Sequence, residues 1–289
     1  TYTDVANAAA STATTLYAIS RMSVTGTFYY YSSGVKSTTA SANRYIYCKT
    51  TTTATTSNMN YTIPTAVTGS TGQYGNAYVG VATSTSSMSS STTVSCANTT
   101  FYAVYRTNVT IYYPTSTSAV SSVTWYRNAY FTSTSAMSTV LSTSSTGTSN
   151  ATTVSGILGT YKGLATAVNS TSTIAISTAA ARTETTYYAV STSSITATFY
   201  YYSSGVKSTT ASGTRTNYCK TTSAATTSAG SITIPDSVTG STGQYGNAYV
   251  GVATSTSSMS SSTSATTANT TYYAVYRANV TVYYPTSTS

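Results

Sequence analysis

Charged side chains are scarce in this sequence, and histidine is absent. Asp, Glu, Lys and Arg together make up only 5% of the 289 residues, far below the roughly 25% of a typical soluble domain. Ser and Thr hydroxyl groups must therefore supply most of the polar surface. The composition does not predict disorder, because Thr, Tyr, Val and Ile, which favour strands, are abundant.

The shortage of acidic residues and histidine argues against catalysis. Without histidine, the usual general base and the commonest metal ligand are missing. The three acidic residues are Asp4, Glu184 and Asp236, whereas paired carboxylates, triads and hard-cation sites need several such groups at related positions. The glycine-rich stretch 69–80 lacks the Gly-Lys-Ser/Thr ending of a phosphate loop. We expect no enzyme activity, no cofactor and no metal.

Basic residues outnumber acidic ones, 12 against 3, which gives a net charge of +9. The cations are spaced singly, without a run of five and without a basic helix, so we do not expect nucleic-acid binding. The positive charge could still favour contact with anionic cell walls, glycans or lipids. No stretch of 18 apolar residues is present, so no membrane span is expected.

Three cysteines leave two interpretations open. Cys48 and Cys219 occupy equivalent positions in two repeats, whereas Thr267 stands where Cys96 would recur. A Cys48–Cys96 disulfide would leave Cys219 unpaired. An odd number of cysteines fits small buried hydrophobic side chains equally well. Cysteine usage therefore does not define the redox compartment.

The dominant feature of the chain is an internal repeat. The stretch 99–114 recurs almost unchanged at 270–285, and looser copies span 14–30 and 185–200. Residues 28–49 and 67–92 recur 171 positions later (199 − 28 and 238 − 67). Equivalent tyrosines are 85, 86 and 85 residues apart (102 − 17, 188 − 102, 273 − 188): Tyr17, Tyr102, Tyr188 and Tyr273. The unit therefore has about 85 residues, and two divergent types alternate.

Each unit carries the pattern of an all-β module. Apolar residues alternate with Thr or Tyr in an opening strand such as 109–113, the mark of a half-buried strand. We predict a second strand at 45–49, 123–126 and 216–220, a third at 78–82, 161–165 and 249–253, and a closing strand such as 101–105. Residues 106–108 would then be a short link to the next unit. Helix signals are weak, although the Ala-rich segments 5–10 and 179–181 could form single turns.

The repeat divides the chain into five segments. Residues 1–22 match the C-terminal half of a repeat, 23–107, 108–193 (the divergent type) and 194–278 are whole modules, and 279–289 match the opening strand of a next repeat. The chain is then either a window or processed fragment of a longer array, or a subunit whose last strand completes the half-unit of a neighbour. In the second case the candidate donor strand contains Val280, Val282 and Tyr284.

The motifs resemble a known family of surface repeats. The stretch Tyr-Val-Gly-Val-Ala at 78–82, its copies at 161–165 and 249–253, and the closing Phe-Tyr-Ala-Val-Tyr at 101–105 are similar to the Listeria–Bacteroides repeat, the B-repeat of internalin-type bacterial surface proteins. Val or Leu replaces the family's Trp after the glycine, and Tyr replaces Trp at the close. The resemblance implies small β-grasp-like or sandwich-like modules in tandem, in an elongated array that acts as a stalk or adhesive surface rather than as a catalyst.

We therefore expect an extracellular structural repeat protein that forms a fibre, filament or stalk on a microbial surface. Its partner would be itself, head to tail, or other surface proteins. The alternative is an adhesin or phage-fibre array that binds glycans through exposed tyrosines. The triplets 29–31 and 200–202 must expose some rings, because neighbouring strand residues point to opposite faces. Tyr30 and Tyr201 are the candidate contacts, and the competing interpretation is that these rings cover a neighbouring strand or module.

Overall fold

The computed structural model describes residues 3–73, 75–85, 90–130, 138–145, 149–257 and 260–287, and for 128–130 and 138–140 it describes the backbone alone. Strands account for 51% of the chain and helix for 7%. The all-β prediction is therefore confirmed, while the division into tandem modules stays a prediction.

The described part of the chain contains seventeen strands and four short helices. They are α1 (Val5–Ala9), β1 (Ile19–Tyr31), β2 (Val35–Cys48), β3 (Ala54–Asn58), β4 (Asn60–Tyr61), α2 (Thr65–Thr68), β5 (Ala77–Ala82), β6 (Val94–Ser95), β7 (Thr100–Pro114), β8 (Val120–Tyr130), β9 (Ser138–Ser142), β10 (Thr160–Ala165), α3 (Ile176–Ala180), β11 (Thr186–Tyr202), β12 (Val206–Cys219), β13 (Ala225–Ser228), β14 (Ser231–Ile232), α4 (Asp236–Thr239), β15 (Ala248–Ala253), β16 (Ala265–Thr266) and β17 (Thr271–Arg277).

The short helices agree only partly with the sequence pattern. Both Ala-rich segments form single turns, α1 and α3, as the sequence indicated. Two further turns, α2 and α4, follow Pro64 and Pro235. Each proline is the N-cap residue, where its missing N–H costs no intrahelical hydrogen bond.

The chain forms two compact units, and their boundaries do not follow the predicted repeats. Unit 1 contains residues 1–110, 124–152 and 176–185, and unit 2 contains 111–123, 153–175 and 186–289. The predicted module 23–107 lies within unit 1 and the predicted module 194–278 lies within unit 2. The divergent module 108–193 contributes residues to both.

In unit 1 the closing strand β7 lies between two partners. β1 pairs with it in parallel, and β5 pairs with it antiparallel, so Tyr102 faces Tyr29 on one side and Ala82 on the other. β1 also forms a hairpin with β2, and β2 pairs antiparallel with β3. A separate two-stranded ladder joins β4 to β6.

Unit 2 repeats this arrangement. β17 pairs in parallel with β11 and antiparallel with β15, so Tyr273 faces Tyr200 and Ala253. β11 forms a hairpin with β12, β12 pairs with β13 and β14, and β14 pairs with β16. The first half of β11 also carries β10 as an antiparallel neighbour.

The link predicted between consecutive repeats is wrong. Residues 106–108, predicted as a short connection, lie inside β7, which runs without interruption from Thr100 to Pro114. The next boundary, at 193–194, lies inside β11. Neither stretch contains a Gly or Pro that would end a strand, so the closing strand of one repeat continues as the opening strand of the next.

The parallel pairing of opening and closing strands recurs three times with the same hydrogen bond. The amide of Thr27 donates to the carbonyl oxygen of Thr99, that of Thr110 to Thr185, and that of Thr198 to Thr270, each over 2.8 Å. Beside each bond two tyrosine rings stack at centroid distances of 5.5, 5.7 and 5.5 Å: Tyr29 on Tyr102, Tyr112 on Tyr188, and Tyr200 on Tyr273. The repeat seen in sequence is thus a repeat of one contact.

The opposite face of each parallel pair forms the core. In unit 1 the rings of Phe28 and Phe101 stack at 4.8 Å, and both residues are fully buried. In unit 2 Phe199 and Tyr272 stack at 5.1 Å in the same place. Large buried aromatic pairs of this kind stabilise a sheet beyond the area that they bury. The short helices cover this face through a buried valine, Val67 in α2 and Val238 in α4.

A bulge explains the glycine in the Tyr-x-Gly-x-Ala motif. The register of β5 against β7 shifts between Tyr78 and Gly80, and the same shift occurs in β10 and β15. Gly80 has φ +149°, and a Cβ atom there would lie 2.8 Å from the carbonyl oxygen of Ser91. Glycine is required because both the backbone angle and the close approach exclude a side chain.

We therefore predict that Gly80→Ala destabilises the protein by about 1–3 kcal/mol, because the side chain adds backbone strain and a clash. Gly34→Ala is the matched control: Gly34 also has positive φ (+128°), but a Cβ atom at that position would have no neighbour within 4 Å. Urea unfolding followed by circular dichroism should show the larger loss for Gly80→Ala. Equal losses would mean that the approach of Ser91 does not matter.

Candidate functional site

A groove of about 450 Å³ in unit 2 has six tyrosines among its fourteen lining residues. The end of β11, β17 and the turn after α4 supply the walls, and no Asp, Glu, Lys or Arg is among the lining residues: Tyr200, Tyr201, Tyr202, Val206, Gly243, Gln244, Tyr245, Asn247, Ser255, Thr256, Tyr273, Ala274, Val275 and Tyr276. Aromatic rings beside amides and hydroxyls suit a neutral, hydroxyl-rich ligand better than a charged one.

One tyrosine hydroxyl joins two walls of this groove. The amide of Tyr202 donates to Oη of Tyr276 at 2.8 Å, and Oγ of Ser241 lies 2.8 Å from the same oxygen. The end of β11 and the turn after α4 are thereby held together. In unit 1, Tyr105 makes the same contacts with the amide of Tyr31 and Oγ of Ser70.

The two tyrosines predicted as contacts are half-buried. Tyr201 packs beside the core of unit 2 and also lines the groove. Tyr30 packs beside the core of unit 1. Tyr245, which the sequence argument missed, is 83% exposed at the groove edge. A Gly-Gln-Tyr-Gly turn at 243–246 was the available signal, because flanking glycines present a residue away from the sheet.

The predicted donor strand is exposed. Val280, Val282 and Tyr284 are 83%, 74% and 75% exposed, and β17 ends before them, at Arg277. The corresponding residues of β7 continue as strand to Pro114. Val109 and Ile111, which correspond to Val280 and Val282, are fully buried.

The disulfide considered between Cys48 and Cys96 is not formed. All three cysteines are free thiols, with Cys48 exposed and the other two buried. The Sγ of Cys96 donates to the carbonyl oxygen of Asn43 at 3.3 Å, and Cys48 lies five residues further along β2. At about 3.3 Å per residue, Asn43 and Cys48 are about 16 Å apart along the strand, so Cys96, which contacts Asn43, lies beyond disulfide reach of Cys48. Cys96 and Cys219 fit the alternative of small buried hydrophobic side chains.

The three acidic residues have local structural roles. Asp4 caps α1 by accepting a hydrogen bond from the amide of Asn7, and Asp236 lies in the first turn of α4. Hydrogen bonds from the Arg182 guanidinium hold the pKa of Glu184 at about 2. Among the described residues, no three His, Cys, Asp or Glu side chains are grouped where they could hold a metal ion.

Arg127, one of the singly spaced cations, is buried. Arg127 donates from Nη2 to the carbonyl oxygens of Ala179 and Glu184, at 3.0 and 2.8 Å. It lies two residues after the buried Trp125, so both side chains belong to the same strand face. Arg127 ties α3 and the segment after it to β8, which is a structural role rather than a binding one.

Comparisons with known proteins give no relative for this chain: no family model, no curated protein and no solved structure matches it. The likeness to the Listeria–Bacteroides repeat therefore rests on the motifs alone and stays a prediction. Among the described helices, none has the length and apolar character needed to cross a membrane.

Three tyrosines with buried hydroxyl groups should make the protein sensitive to alkali. Burial raises the pKa of Tyr78 and Tyr161 to about 12, and it also raises that of Tyr249. The hydroxyls of these three equivalent residues make no hydrogen bond within the described part of the chain. The folded protein therefore keeps protons that the unfolded chain loses near pH 10.

We predict that stability is unaffected by these groups below about pH 10 and falls between about pH 10 and pH 12, where only the unfolded chain ionises. Urea unfolding at a series of pH values, with tyrosinate absorbance as a second probe, measures the fall. Tyr78→Phe should make it smaller, whereas Tyr245→Phe, at an exposed ring, should leave it unchanged. An identical pH dependence in both variants would contradict the assignment.

Proposed function

We propose that this protein is an extracellular structural repeat protein that forms a fibre, filament or stalk on a microbial surface. The observation that supports this most directly is the parallel pairing of opening and closing strands, with its recurring Thr amide to Thr carbonyl bond. The chain enters each pair along one strand and leaves along its parallel neighbour. Tension on the chain therefore shears the two strands, so that their hydrogen bonds and stacked rings are loaded together.

The continuous strands support the same role. β7 belongs to the end of one predicted repeat and the start of the next, and so does β11. Tension transmitted across one parallel pair therefore reaches the next pair along a strand that is itself hydrogen-bonded to neighbouring strands. Nearest-neighbour coupling of this kind is typical of repeat arrays.

A surface with few charges fits an exterior position. Lys and Arg number 12 and acidic residues 3 in 289 residues, so proteases that require these residues find few sites. Surface localisation, like the filament, is part of the proposal, and antibodies to the purified chain should label intact cells of the native source.

We predict distinct force peaks when single chains are pulled from their two ends, with spacings that correspond to about 85 residues. Removing one stacked ring by Tyr102→Ala should lower the peak of the first repeat, because Tyr102 contacts Tyr29 across the parallel pair. Tyr47→Ala, on β2 and outside that pair, is the control and should leave the peak unchanged. Unfolding without resolvable peaks would overturn the mechanical role.

Glycan binding is the second candidate, supported by the tyrosine-lined groove of unit 2. Sugar rings stack on aromatic faces through their C–H groups, and the side chains of Gln244 and Asn247 could bond to hydroxyls. The groove lining carries no charge, which favours a neutral oligosaccharide over an acidic one.

On this second proposal, an array of neutral and acidic oligosaccharides should give signals for neutral members only. Tyr245→Ala and Tyr201→Ala should each reduce the signal by about tenfold, the loss expected when a stacking contact worth roughly 1–2 kcal/mol is removed. Tyr283→Ala, at an exposed ring outside the groove, should retain it. Binding that survives both groove substitutions would exclude this site.

A further inference from the structure

We propose that the three stacked tyrosine pairs are sites of oxidative cross-linking, at which a peroxidase with hydrogen peroxide joins two phenol rings of one chain as dityrosine. The pairs are Tyr29 with Tyr102, Tyr112 with Tyr188, and Tyr200 with Tyr273. This inference goes beyond the structural role proposed above, because it depends on the ring contacts and not on that role.

The parallel strand pairing holds the two rings of each pair side by side. Tyr29 is in register with Tyr102, and Tyr200 with Tyr273, on neighbouring parallel strands. Paired residues project from the same face of a sheet, and the ring centroids lie 5.5–5.7 Å apart with planes inclined by only 14–18°. Because the torsion between Cβ and the ring is broad, the rings can turn toward each other while the backbone pairing stays in place.

Solvent reaches all three pairs. Their tyrosines are partly exposed, and Tyr200 is 39% exposed, whereas the rings on the opposite face of the sheet lie in the core. In the central pair, Tyr188 has Ala165 of β10 on its other side, and the strand of Tyr112 has β8 as a second neighbour. The partial exposure of this pair therefore exists with the neighbouring strands in place.

A bond at these positions would reinforce the contact around which each repeat is built. All three cysteines are free thiols, so no disulfide ties the parallel strands together. The linked tyrosines would enclose 73, 76 and 73 residues (102 − 29, 188 − 112, 273 − 200). Closing loops of this length lowers the conformational entropy of the unfolded chain, so the cross-linked protein should resist unfolding.

The reaction at each pair is a two-electron oxidation. Each phenol loses one electron and one proton to the oxidant, and the two phenoxyl radicals form a carbon–carbon bond between their ortho carbons. The hydrogen on each joined carbon then moves as a proton to the oxygen of its own ring, which restores both phenols. One hydrogen peroxide takes up the two electrons and two protons and becomes two water molecules.

The test uses the purified chain with Cys48→Ser, because the exposed thiol of Cys48 would consume oxidant. Peroxidase and limiting hydrogen peroxide are added to dilute protein, which disfavours coupling between chains. We expect dityrosine fluorescence in the monomer band of a denaturing gel. Digestion with trypsin should give three linked peptide pairs, each lacking two hydrogen atoms: 22–36 with 50–106, 107–127 with 183–207, and 183–207 with 221–277.

Two substitutions in the peptide 107–127 test the assignment of the central pair. Tyr112→Phe keeps the ring but removes the phenol hydrogen, so the link to 183–207 should disappear while the other two links remain. Tyr113→Phe is the matched control, because this side chain points to the opposite face of β7, and all three links should persist. A central link that survives Tyr112→Phe or is lost in Tyr113→Phe, dityrosine found only between chains, or no dityrosine at all would overturn the proposal.

Pulling experiments separate this inference from the mechanical role. Each bond withholds the 73 or 76 residues that it encloses, about 25 nm of extended chain at roughly 3.4 Å per residue, so oxidation should shorten the extension at each force peak by that amount. Force peaks in a chain that forms no linked peptides overturn the cross-linking and leave the mechanical role intact. Linked peptides from a chain without force peaks before oxidation support the cross-linking and overturn the mechanical role.

Discussion

The structure depends on one backbone hydrogen bond, from the opening strand of a repeat to its closing strand. It joins Thr27 to Thr99, Thr110 to Thr185 and Thr198 to Thr270. The pairing brings together residues that lie more than seventy positions apart (99 − 27 = 72), so it closes a long loop at an entropic cost. Stacked tyrosines beside each bond, together with buried side chains on the opposite face, offset that cost. The hairpin, the bulged strand and the short helix of each repeat are all arranged around this pair.

Local patterns in the sequence located several strands but neither their full lengths nor their partners: the second strand was predicted at 45–49, whereas β2 runs from Val35 to Cys48. Alternation correctly placed β5, β10 and β15, and the Tyr-Ala-Val motif correctly placed β7 and β17. The error at residues 106–108 came from treating the residues between one unit's closing strand and the next unit's opening strand as a connection. One face of a half-buried strand is polar, and without Gly or Pro nothing ends the strand there. The parallel pairing has no local signature, since its partners are distant in sequence.

Sequence patterns also predicted the candidate site only in part. Tyr201 does line a groove, but the ring that projects most, Tyr245, lies on a turn that a search for strands does not detect. Isolated charges usually lie in solvent, whereas carbonyl oxygens at the end of α3 accept the hydrogen bonds of Arg127. Matched size changes at residues that are distant in sequence but in contact in the core could not be recognised from the sequence either. Gly26 leaves room for the ring of Tyr61, and the second copy has Ala197 with the smaller Ile232.

The unbroken strand between repeats restricts how such a gene can change in length. Successive stacked tyrosines on one strand are separated by an even number of residues, ten from Tyr102 to Tyr112 and twelve from Tyr188 to Tyr200 (112 − 102, 200 − 188). Because side chains alternate between faces, gaining or losing a single codon in this interval would turn one of the two rings into the core. Recombination between copies 171 residues apart (199 − 28) preserves every interval. Alleles of this gene should therefore differ by whole pairs of repeats, with identical junctions, rather than by small insertions at the boundaries.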